Sequence, residues 1–142
     1  MIGMDILRPV VVLGGWTMVM WAWMYATRLP AMRARQVDPE GLAHDPAASL
    51  DSLLPPHVQW KAHNYNHLHE APTVFYAIAI VLAITGQGDG YNSTLGWVYA
   101  GARVVHSLVQ ATVNRVAVRF AVFVFSSLVL IILIARAAVA VF

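Results

Sequence analysis

The chain has no cysteine. Disulfides, cysteine-ligated zinc and a cysteine nucleophile are therefore excluded, and any thiol chemistry must come from a bound molecule. Charge is also scarce: 11% of the 142 residues are charged and 59% are hydrophobic, against about 25% charged in soluble domains. A soluble domain of this length could not cover so much apolar surface, so the composition specifies an integral membrane protein built as one unit over residues 1–142. The net charge of +2 rests mainly on a few loop arginines, too little for nucleic-acid binding. No phosphate loop is present, because Gly86–Gly90 is short, irregular and without a cation. Nor is there a cleavage site after the first apolar run, which ends in aromatic residues and Arg28 and reads as a retained helix rather than a signal peptide.

What remains is four apolar stretches. Helical spacing predicts membrane helices over about 9–28, 59–85, 93–111 and 116–140, joined by an extramembrane loop over about 29–58 with a short helix near Ala47–Leu53. The expected fold is all-α, a four-transmembrane-helix up-down bundle. Trp21, Trp23 and Tyr25 suit an interfacial aromatic belt. Arg28, Arg33, Arg35, Lys61, Arg115 and Arg119 fall on one side of the bundle, and only Arg8 and Arg136 on the other. The positive-inside rule then places the long loop in the cytoplasm and both termini outside it.

The second helix opens with a dense polar cluster, Trp60–Ala77, that runs straight into apolar sequence. At about 100° per residue, His63, Asn66 and Glu70 share one narrow stripe, flanked by His67 and His69. Pro72 is expected to bend the helix just beyond the cluster. A second stripe on helix three carries Tyr99, Arg103, His106, Ser107 and Gln110, with Asn114 at its end. Glu70 and Arg103 each lie about ten residues from the same end of antiparallel helices, at a common depth of about 15 Å. An isolated intramembrane charge is expensive, so a buried Glu70–Arg103 pair is expected, with Asn66 near His106 or Ser107 and His63 near Gln110. Such a ladder could simply lock the bundle. The surplus of basic groups, from Lys61 and the histidines to Arg115 and Arg119, instead suits a pocket for an anionic polar ligand whose other partner is lipid-soluble.

A metal site is the competing reading of the histidines. His63 and His67 are spaced i, i+4, but Asn64 stands where an HExxH motif has glutamate and no third ligand is evident, so no metal is assigned. Haem or quinone ligation by His67 or His106 has equally little support. A His-based metal or redox protein remains the least favoured alternative.

Asn66 with Pro72 six residues on, and Ala102-Arg103-Val104-Val105-His106 in helix three, make the chain resemble the MAPEG family, membrane-associated proteins of eicosanoid and glutathione metabolism. The family pattern in helix two is Arg-x-x-x-Asn-x-x-Glu or Asp, followed by proline. Here the arginine slot holds Ala62 with Lys61 beside it, and the acid slot holds His69 with Glu70 beside it. The resemblance implies a homotrimer in which helices one and two of one subunit meet the start of helix four of its neighbour. It also implies glutathione as co-substrate in a cationic, cytosol-facing pocket, acting on lipophilic electrophiles or lipid hydroperoxides. Under it, Lys61, Arg115 and Arg119 pair with the glutathione carboxylates. Arg119, then Arg115, stabilises the thiolate, while His63, Asn66, Glu70, Arg103 and His106 shape the pocket. A non-catalytic, lipid-binding trimer of the same architecture is the main alternative.

Overall fold

A computed structural model describes residues 1–142, and every regular element in it is helical. The first helix, α1, spans Leu7–Ala34. It runs past the expected end at Arg28 and carries Pro30 in its interior, so proline forfeits one backbone bond there without ending the helix. Pro9, Leu13, Thr17, Met20 and Met24 recur every three to four residues as its buried stripe. Its opposite face exposes Val11, Val12, Met18 and Val19, as a lipid-facing helix should.

The connection after α1 is not shapeless. A short helix α2, Pro39–His44, starts where the Asp38 carboxylate accepts the backbone N–H groups of Glu40 and Gly41 and Pro39 fills the first turn. A single turn, α3, follows at Leu50–Leu53, within the short helix expected near Ala47–Leu53. The second membrane helix is two helices, α4 (Pro56–His67) and α5 (Ala71–Ile84), separated at Leu68–Glu70. α6 spans Tyr91–Thr112 and α7 spans Val116–Val141.

By length and composition α1, the α4–α5 span Pro56–Ile84, and α7 can each cross a membrane. α6 has a comparable length, about 33 Å at 1.5 Å per residue, but turns a polar stripe inward. α6 packs against α1 on one side and α7 on the other; α4 packs on α1 and α6, whereas α5 packs on α7 and α1. The two halves of the broken helix thus have different partners. Phe75, Leu82, Tyr99, Leu133, Leu13 and Met20 form the shared apolar core. At the end away from α4, the Gly3 N–H donates to the Ala83 carbonyl and the Ile6 N–H to the Gly88 carbonyl, both at 2.9 Å. A Cβ on Gly3 or Gly88 would strike the backbone of the other, so this close approach requires glycine.

Candidate functional site

The site begins with Pro72. Its ring cannot accept the carbonyl of the residue four positions earlier, Leu68, in helical register, and the helix opens between Leu68 and Glu70. The interruption therefore lies before the proline and inside the polar cluster, not beyond it as the sequence suggested. Glu70 takes a non-helical conformation, φ −95° and ψ −104°. The His67 carbonyl, freed from the helical ladder, accepts from Glu70 N–H and from the Arg103 guanidinium, each at 3.3 Å.

α6 supplies the facing rungs. Asn64 donates to the Ser107 hydroxyl at 2.6 Å, and the Trp16 indole donates to the same oxygen at 2.9 Å. His67 and Gln110 are hydrogen-bonded at 2.9 Å. These pairings correct the expected ones. Asn64, not Asn66, meets Ser107, and His67, not His63, meets Gln110. The buried residues of α4 are Val58, Gln59, Lys61, Ala62 and Asn64, and Lys61 and Asn64 lie on nearly the opposite side of the helix from the stripe of His63, Asn66 and Glu70. That choice is made by the polar partners on α6, which periodicity within α4 alone could not reveal.

The expected Glu70–Arg103 ion pair does not form either. The chain has two ion pairs, Arg8–Asp5 and His63–Asp51. Glu70 and Arg103 nevertheless line one cleft of about 320 Å³, together with His67, Ala71, His106, Val116, Arg119, Phe120 and Phe123. It lies where α7 packs on α6 and α5 but not closely on α4. Arg103 is 2% exposed, and its Nε and Nη1 have no partner. His106 is 4% exposed and its Nδ1 is likewise unpaired. Buried donors without acceptors are costly unless something fills the space before them.

Arg119 enters the cleft from α7 and is set by the α6–α7 turn. Asn114 adopts φ 47°, its N–H closes the end of α6 on the Val109 carbonyl at 2.7 Å, and its side-chain oxygen accepts from Arg119. Asparagine tolerates this left-handed conformation better than most residues. Arg115 precedes α7 and is exposed outside the cleft lining.

Lys61 points elsewhere. Its Nζ donates to the His57 carbonyl at 2.9 Å and the Ala111 carbonyl at 3.3 Å, and stands 5.1 Å from the centre of the Trp23 ring. It caps the C-terminal end of α6 and staples it to α4. His63 and Asn66 line a separate cleft between α1, α3 and α4, with Tyr25, Arg28 and Asp51. There Asp51 accepts from Gln59 at 2.5 Å and contacts His63 at 2.8 Å. These two hydrogen bonds, Gln59 first, hold the Asp51 carboxyl below the ordinary 3.8.

The structure thus gathers Glu70, Arg103, His106 and Arg119 in one cleft and leaves Lys61, His63, Asn66 and Arg115 outside it. Sequence reasoning gave no site role to Asn64 or Asp51 and placed Asn114 only at the end of the helix-three stripe. Asn114 carried a usable signal, an asparagine just after a helix end; Asp51 carried none.

Compared with curated proteins one at a time, the chain matches none. The MAPEG family model matches residues 6–139. That covers all the membrane-crossing helices and the cleft between them: this multi-pass integral membrane protein, a four-helix bundle, belongs to the MAPEG family.

Proposed function

We propose that the α4–α6–α7 cleft binds glutathione, and that the protein is a homotrimeric glutathione transferase or peroxidase acting on lipophilic electrophiles or lipid hydroperoxides. The observation that carries this reading is the charge pattern of the cleft. Arg103 and Arg119 offer guanidinium donors, one of them buried and largely unpaired, and Glu70 is the single acid at the rim. Glutathione has two carboxylates, one ammonium group and a thiol, and these groups match that set in sign.

Bound glutathione would supply a thiol that forms a thioether with an electrophilic carbon, whose leaving group departs with the electron pair. Against a hydroperoxide, two thiols give a disulfide, an alcohol and water. The protein's part is to bind and polarise. Arg103 and His106 anchor the anionic end by direct hydrogen bonds. Arg119, fixed by Asn114, places its positive charge where the sulfur lies and favours thiolate over thiol. Val116, Phe120 and Phe123 form an apolar wall through which a lipophilic partner reaches the sulfur from the bilayer.

In the trimer, the α1–α4 face of one subunit, with Arg28, His63 and Asn66, meets the α7 start of the next. Arg115 and these groups then complete the pocket from two sides. The basic bias of this end puts the cleft at the cytoplasmic surface and both termini outside.

Conjugation of glutathione to a generic electrophile in detergent is the test. Turnover is expected, and Arg119→Ala should lower it by about 10²-fold, the typical loss for one transition-state charge donor, with the thermal unfolding midpoint unchanged. Absence of both turnover and stabilisation by glutathione would overturn the assignment. A second reading, a non-catalytic lipid-binding trimer, is favoured by Ala62 in the family's arginine slot and by Lys61 being committed to helix packing. Glutathione binding without turnover would select it.

A further inference from the structure

A second cleft lies at the opposite end of the bundle, between the start of α6 and the end of α7. It has a volume of about 500 Å³, and Tyr91, Asn92, Ile132, Ala135, Arg136 and Val139 are among the residues that line it. The glutathione reading makes no use of it. Arg136 is the only charged residue in the lining. Its Nε donates to the Asn92 side-chain oxygen, and its guanidinium lies 5.1 Å from the centre of the Tyr91 ring. Those contacts hold the group but leave its charge uncompensated, since Arg136 enters neither ion pair of the chain. The acids at this end are occupied elsewhere. Asp5 pairs with Arg8 at 3.0 Å, and Asp89 accepts the Asp5 backbone N–H at 3.0 Å.

Depth identifies what could neutralise Arg136. Arg119 and Arg136 are seventeen residues apart on α7, about 25 Å along the axis at 1.5 Å per residue. That is close to the hydrocarbon thickness of a bilayer. If Arg119 stands at one headgroup layer, Arg136 stands at the other, with Tyr91 at interfacial depth beside it. Ile132 and Val139, both exposed, sit one turn to either side of Arg136 on α7. The arrangement is a guanidinium held between a polar helix start and an apolar wall, at the level of lipid phosphates.

We propose that this cleft is a binding site for an anionic glycerophospholipid of the leaflet opposite the glutathione cleft. The phosphodiester is held by Arg136 and an acyl chain runs from it toward the bilayer centre along Ile132. With no acid in the lining, a zwitterionic headgroup's ammonium finds no partner there, so the site selects for net negative headgroups. This site does not depend on the glutathione reading.

The test reconstitutes the full chain in phosphatidylcholine nanodiscs doped with phosphatidylglycerol. Lipid retained after transfer to detergent is then counted by native mass spectrometry. Wild-type protein should retain phosphatidylglycerol about fivefold over its share of the bilayer, the scale expected for one basic group at an anionic surface. Arg136→Gln should abolish the enrichment. Arg8→Gln, at the same end but outside the cleft, should preserve it. Because Arg136→Gln also alters the Asn92 contact, Val139→Glu provides a second probe. It supplies a carboxylate at i, i+3 to satisfy Arg136 within the chain, and it should abolish the enrichment while leaving Arg136 in place. No enrichment in the wild type, enrichment that survives both variants, or a neighbouring subunit cross-linking across the cleft in place of lipid would overturn the proposal.

Discussion

Arg103 brings five N–H donors into the bundle and finds one acceptor, the His67 carbonyl. An arginine that served only to lock helices together would be paired; this one is kept short of partners beside a cleft. Asn64 shows the contrasting case, a buried side chain whose donor is satisfied inside the protein by Ser107. Asn64→Ala should cost about 1–3 kcal/mol, the usual range when a buried hydrogen bond loses one partner. Asn66→Ala, which removes no side-chain hydrogen bond within the subunit, should stay within about 0.5 kcal/mol. Thermal unfolding of the two variants in detergent checks the difference, and equal losses would mean that the inward face of α4 has been misassigned. Residue types were legible in the sequence: polar side chains on two facing helices had to find one another. Which asparagine turned inward was not: residues 64 and 66 lie on nearly opposite faces of the helix, about 200° apart on a helical wheel, and the partners that decide between those faces lie some forty positions away.

At the scale of elements, the break between α4 and α5 organises the site. Pro72→Ala should let the helix run through, return the His67 carbonyl to the Ala71 N–H and take it from Arg103. Glutathione should then bind at least about tenfold more weakly, since a hydrogen bond to a charged group is worth about 1.5–3 kcal/mol; the shift of the unfolding midpoint with added glutathione measures this. The α3 turn depends on a different contact, Asp51 with Gln59 and His63. The Asp51 carboxyl is held below 3.8. Its contribution to docking α3 is therefore complete above that value and lost as pH falls through the lowered one. Pepsin cleavage around Leu50–Leu54 should rise in that acidic window, and Asp51→Asn should produce the same sensitivity to a neutral protease at neutral pH. Helix existence was readable from apolar run length. The proline's effect was readable in kind but displaced in position, because proline disturbs the turn before it. The α3 docking was invisible, since a single exposed aspartate in a loop has no periodic signature.

For the whole molecule, four apolar runs and a scarcity of charge were enough to specify a membrane bundle, because the hydrophobic requirement acts on every residue of a span. The cleft depends instead on a few non-local contacts and on one helix changing partners halfway along. That interruption also has a mechanical consequence. An unbroken rod answers a thicker or thinner host bilayer by tilting as a single body, whereas two rods joined at Leu68–Glu70 can bend at the joint and change their end-to-end reach. The joint lines the cleft, so acyl-chain length should become a variable of the proposed reaction. Turnover measured across phosphatidylcholines of increasing chain length should pass through an optimum, and Pro72→Ala should flatten it.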